Sequence, residues 1–232
     1  MGGHAGGRGR GAPRKEGGKK NVYAQHLPAD ALDEAWARFG HALGPLDRAG
    51  KLGGVLLQYP EWFTPRSATR AELEGVRQRL PRYHLYVELR SPRWWASPDD
   101  RRRTLDLLRA NELAHVVVDA PPSSGLPAVV EATTEVAVVR FHGRNDGTWK
   151  KRDISAAERF DYQYDERELG EWVPRLEELA GGAGRVHALM NNCYGDKGVR
   201  NAADLAGLLA RATAGGDAPT AGRRPAGDDS RA

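Results

Sequence analysis

The chain has 232 residues, 40% of them hydrophobic and 28% charged, a polar globular composition. No run approaches the roughly 18 apolar residues of a membrane span, and the glycine- and arginine-rich start lacks the apolar core of a secretory signal. Cys193 is the one cysteine, which excludes an intramolecular disulfide and a multi-cysteine zinc site and makes the cytoplasm the expected compartment.

The formal charge of +4 is unevenly spread. Residues 1–20 hold six cations and one anion, so the remaining 212 net −1. The basic character belongs to a tail, which removes the simplest argument for a nucleic-acid-binding domain. Residues 1–27 read as a disordered Gly/Arg-rich tail with almost nothing to bury. Such an arm is able to touch nucleic acid through counterion release, or simply to aid solubility. Residues 214–232 read as a second disordered tail, which leaves 28–213 as the folded domain.

Within that domain, Leu32, Ala35, Trp36, Phe39 and Leu43 recur at helical spacing over 28–43, after Pro28 and Asp30. An apolar run over 52–60 ends at Pro60, and a helix is expected over 68–80. A strand over 83–90 is followed by Ser91-Pro92 and a helix over 98–111. The third strand runs over 114–121 and the fourth over 135–143, joined by a loop with a short helical turn. A helix over 166–179 leads to the fifth strand, 185–192, and a last helix covers 198–211. Strands separated by helices imply parallel pairing with right-handed crossovers. The continuous run Val116-Val117-Val118 suits a sheet covered on both faces.

Each apolar run finishes in polar residues: Gln58; Glu88 and Arg90; Asp119; Arg140 and His142; Asn191 and Asn192. The C-terminal ends of parallel strands are where α/β folds put ligands. Alternation places Glu88 and Arg90 on one face above Tyr86, and Arg140 and His142 on one face. It sends Asn191 and Asn192 to opposite faces, so one of the two at most lines a shared cavity. Each residue also has a structural role open to it: an ion pair closing one end of a sheet, a carboxylate bonded to the next loop, a satisfied buried histidine. As a set they are costly to bury unless they meet one another or a ligand.

Several of these segments resemble the YecE-like family, domain of unknown function 72. They are Leu56-Leu-Gln-Tyr-Pro60, Val87-Glu-Leu-Arg90 with Trp94, Arg140-Phe-His-Gly-Arg144, Tyr162-x-Tyr164 with Leu169 and Trp172, and Met190-Asn-Asn192 with Asn201-Ala202. The resemblance runs in order over about residues 43–209. It implies a β/α barrel of the TIM type, distantly similar to sugar isomerases and endonuclease IV, and no established reaction. It also implies that the first barrel strands are missing from this chain. About five strands cannot close an eight-stranded barrel, so the polypeptide as written is expected to self-associate.

Three chemistries fit the strand ends. Glu88, Asp119 and His142 are metal-ligand types, yet Arg140 repels a cation and no metal is assigned. In a metal-free pocket, Arg90 and Arg140 bind a phosphate or carboxylate, with Gln58, Asn191 and Asn192 as further substrate contacts. Glu88 and Asp119 then serve as acid and base and His142 as a proton shuttle. A nucleic-acid enzyme would add the basic tail, the 144–152 loop and stacking by Trp94, Trp95 and Trp149. The metal-free pocket leads: a hydrolase or isomerase acting on a phosphorylated or sugar-containing substrate, with Glu88, Asp119 and His142 as its catalytic set. The alternatives are a nucleic-acid-binding or endonuclease IV-like phosphodiesterase and a non-catalytic barrel protein. Cys193 has no histidine placed to activate it and reads as structural. Phosphate-loop, dinucleotide and nucleophile-elbow signatures do not occur, and no cofactor is identified.

Overall fold

The computed structural model describes residues 22–151 and 153–216. They fall into two compact units, one ending at Leu52 and one beginning at Gly53. The first contains a 3-10 turn, Ala24–His26, and helix α1, Ala29–Arg48. The helix runs past the expected end at 43 and holds Pro45 within it, which removes one backbone hydrogen bond without stopping the chain. The rest of the expected basic tail, 1–21, lies outside the described residues.

The second unit is built as β1 Val55–Tyr59, α2 Ser67–Arg79, β2 Leu85–Leu89, α3 Pro98–Ala110, β3 Leu113–Asp119, β4 Val136–Phe141, α4 Asp146–Trp149, α5 Ala156–Arg159, α6 Glu166–Gly170, α7 Val173–Gly182, β5 Arg185–Met190 and α8 Lys197–Gly216. The last helix therefore passes the expected boundary at 213. Local chemistry explains several bounds. Ser97 caps α3 by accepting from the Asp100 N–H at 3.1 Å, with Pro98 in the first turn. Asp165 and Glu168 form a reciprocal capping box on α6. The single helix expected over 166–179 is two helices, because Pro174 in the first turn of α7 cannot donate to the turn before it. The 144–152 segment holds α4 in place of the expected flexible loop.

All five strands are parallel and neighbour one another in sequence order. Among the described residues, β1 and β5 are edges and the sheet is not closed. It is nevertheless curled. Arg140 on β4 donates to Gln58 on β1 at 3.0 Å, and the Tyr86 ring on β2 lies 6.5 Å from His187 on β5. In a flat sheet, strands three steps apart would be roughly 14 Å apart.

Residues paired across the register share a face. On the convex face Val117, Val139 and Phe141 pack with Leu169, Trp172, Leu176 and Leu205 from the helices. On the concave face Tyr86, Ala114, Val116, Val118, Val136 and Val138 form an apolar layer. Trp94 belongs to the core and Trp95 is half-buried beside it, in place of a nucleic-acid stacking surface. Trp94 is fully buried and donates to the Phe63 carbonyl at 2.7 Å, and Trp95 packs on His115.

His115 sits at 4% exposure with Nε2 on the Val129 carbonyl and Nδ1 without a partner. Burial lowers its pKa to about 4 from 6.5, against the raising effect of the Val129 carbonyl. The folded form resists a proton that the unfolded chain accepts, so this stability is present above pH 6.5 and is lost as pH falls toward 4. Urea midpoints are expected to report a loss of about 2 kcal/mol between pH 7.5 and 5 from this residue. His115→Gln should flatten that slope; an unchanged slope would contradict the assignment.

Candidate functional site

The concave face turns polar above its apolar layer. Glu88 is fully buried and takes three donors. Arg90 Nε lies 2.7 Å from its Oε1, Arg140 Nη1 2.5 Å from its Oε2 and His142 Nε2 3.2 Å from its Oε1. Burial pushes the carboxyl pKa up, but the His142 hydrogen bond and the charges around it outweigh burial and hold it at about 2. Glu88 is therefore an anion near neutral pH and not a general acid.

The same network bears on the histidine tautomer. A guanidinium only donates, so the 2.7 Å contact from Arg140 Nη2 identifies the facing Asn191 atom as Oδ1. The Asn191 Nδ2 then points at His142 Nδ1, 2.9 Å away. Nδ1 then accepts, which favours the ring proton on Nε2, directed at Glu88, while Arg90 Nη2 straddles both ring nitrogens at 3.3 and 3.2 Å. Burial lowers the His142 pKa, with Glu88 acting in the opposite sense. The residue is a neutral imidazole backed by a carboxylate, an arrangement that orients a base. Trp149 and Phe160 pack on its ring at 6.0 and 5.6 Å, and His142 is 1% exposed.

The solvent-reachable part is a hollow of about 170 Å³ lined by Gln58, Pro60, Glu61, Arg90, Trp149 and Arg159. The Arg90 guanidinium lies 5.7 Å from the Trp149 ring centroid. Gln58 and Arg90 thus reach the hollow, while Arg140, His142 and Asn191 stand behind them.

Two expected site residues lie elsewhere. Asp119 pairs with Phe141 in the register, whereas Val118 pairs with Arg140. Asp119 therefore points to the convex face and cannot form an acid–base pair with Glu88 across one substrate. There it accepts from Tyr164 Oη at 2.6 Å, Trp172 Nε1 at 2.7 Å and Arg144 Nη2 at 2.7 Å. Burial works against the Arg144 charge, but Asp119 and Glu171 raise its pKa further. Asn192 also faces outward, donating to the Tyr162 carbonyl and to Asn201 Oδ1. Alternation along the strand allows one asparagine at the site, and that residue is Asn191.

Asp119 still matters to the site through the turn it holds. Its carbonyl accepts the His142 N–H at 2.9 Å, and Tyr164 Oη accepts the Gly143 N–H at 2.8 Å. Gly143 has φ +86°, and a Cβ there would lie 2.6 Å from Tyr162 Cβ. This left-handed residue turns the chain so that Arg144 leaves the concave face for Asp119. Arg159, not expected at the hollow, and Phe160, not expected against His142, come from a segment with no apolar periodicity to mark it. Among the described residues, no group of three or more His, Cys, Asp or Glu side chains is placed to hold a metal ion. Removing the Asp119 carboxylate leaves the buried Tyr164 and Trp172 donors without their acceptor and Arg144 with Glu171 and Glu168 alone, so Asp119→Ala is expected to cost about 3 kcal/mol in urea unfolding. A loss under about 1 kcal/mol would show the clamp to be dispensable.

The model of the family described as protein of unknown function DUF72 matches residues 19–225. The chain is 32% identical over 189 residues to the UPF0759 protein YunF of Bacillus subtilis (strain 168), covering 79% of this chain and 67% of that protein. A DUF72 family protein from Thermotoga maritima MSB8 is similar in structure at a TM-score of 0.69 and 32% identity, over 77% of this chain and 65% of that one. A DUF72 family protein from Enterococcus faecalis V583 shares the fold at a TM-score of 0.71 and 24% identity, over 84% of this chain and 70% of that one. The chain thus spans about two thirds of the length of these relatives. With the motifs, the parallel sheet and the match over most of its length all in agreement, the chain belongs to the DUF72 family of proteins of unknown function.

Proposed function

We propose that the hollow above β1 and β2 binds a small phosphorylated or sugar-containing molecule, on which the protein acts as a hydrolase or isomerase. The observation that carries this reading is the charge pattern. Two arginines, Arg90 and Arg159, and one carboxylate, Glu61, line the hollow beside an indole wall, and behind it the Arg140 charge is met by buried Glu88. That leaves one positive charge for an anion and an aromatic surface suited to the apolar face of a sugar. His142, neutral and oriented by Glu88, is the candidate base. To take a substrate proton at Nδ1 it needs the Asn191 amide released from that nitrogen and Trp149 and Phe160 displaced.

Isothermal titration with a panel of sugar phosphates and free sugars, followed by product detection by NMR, tests the reading. Wild type is expected to bind at least one member, Arg90→Gln to weaken it about tenfold, and His142→Gln to abolish turnover while binding remains. If no member binds, or if His142→Gln turns over normally, the reading fails.

The curled parallel sheet with helices on its convex face also supports a β/α barrel of the TIM type, of which these five strands form part. Leu56 and Leu189, 38% and 43% exposed on the edge strands, then mark the unclosed side. The 232-residue polypeptide is expected to self-associate in sedimentation velocity, and Leu56→Lys with Leu189→Lys to reduce that association. A monodisperse wild-type monomer would count against it.

A further inference from the structure

The strand-end arginines are not the groups most available to an incoming anion. Arg90 and Arg140 both bond to Glu88, and Arg140 is used up further by Gln58 and Asn191. Arg159, the last residue of α5, is different. It lines the hollow and, among the described residues, has no carboxylate within ion-pair distance. Its Nη2 donates to the Lys151 carbonyl at 2.7 Å, and its buried Nε has no partner. Its neighbour Phe160 packs on both His142 and Trp149, which anchors the backbone of Arg159 at the rim. A buried guanidinium N–H left without an acceptor is costly, and an anion in the hollow would give this cation the counter-charge it lacks.

We infer that Arg159 is the specificity-determining residue for the charged group of the ligand, and that this group is a phosphate-like oxyanion. Arg90 and Arg140 hold Glu88 and shape the pocket, while Arg159 separates phosphorylated from unphosphorylated ligands. This inference rests on the proposed ligand site, and it assigns the discrimination to a residue outside the strands.

The test titrates inorganic phosphate into the full-length protein at low salt, read by tryptophan fluorescence and by 31P line broadening. The variants are Arg159→Gln, Arg159→Lys and Arg90→Gln, with thermal midpoints checked for each. Arg159→Gln is expected to weaken phosphate binding about tenfold with an unchanged midpoint, and Arg159→Lys to keep most of it. Binding of any free sugar found in the panel should not respond to either. If Arg159→Gln binds phosphate like wild type while Arg90→Gln does not, the inference is overturned and the site reading stands. Binding of a free sugar but no phosphate by wild type would likewise overturn the inference and leave the site reading intact. If neither phosphate nor any sugar binds, both are overturned.

Discussion

The buried carboxylate of Glu88 organises the concave end of this sheet. It is cut off from water, so it must be met by donors, and three residues from two strands supply them. Removing one of them leaves the buried charge only partly compensated, which is more costly than an exposed ion pair is worth. The consequence runs outward from Glu88. Arg140 is drawn across the curl to Gln58 and Asn191, Asn191 is turned to face His142, and the neutral form of His142 with its proton toward the carboxylate is favoured. One ionised group thereby sets the orientation of side chains on β1, β2, β4 and β5.

A second carboxylate, Asp119, does corresponding work on the other side of the sheet. It joins Tyr164, Trp172 and Arg144, from the loop and helices beyond β4, to the end of β3. The two centres meet at Gly143. There the left-handed turn ends the concave run of Arg140 and His142 and delivers Arg144 to the convex face. Position of the imidazole thus depends on packing that never touches a ligand.

The 146–160 segment supplies what the strands do not. Trp149 and Phe160 exclude water from His142, and Arg159 brings to the rim a cation that, among the described residues, has no carboxylate partner. Strand residues set a rigid, mutually satisfied polar layer, whereas the unmet charge lies on the segment above it. Such a division suits a site in which the rigid part orients chemistry and the covering part recognises the guest.

Much of the architecture was legible in the residues. Apolar runs and helical periods located all five strands, and the helix expected over 98–111 is α3. Parity alone separated Asn191 from Asn192 and joined Glu88 to Arg90. The face of Asp119 was not legible, because Val116-Val117-Val118 is apolar on both sides and a one-residue change of register inverts every side chain. Nor could a segment without periodicity announce that Arg159 lines the hollow and Phe160 packs on His142. Composition and period determined which elements form and in what order, because burial acts on local pattern. Only the tertiary register and the curl decided which polar groups meet, because proximity between strands is not written in the spacing along any one of them.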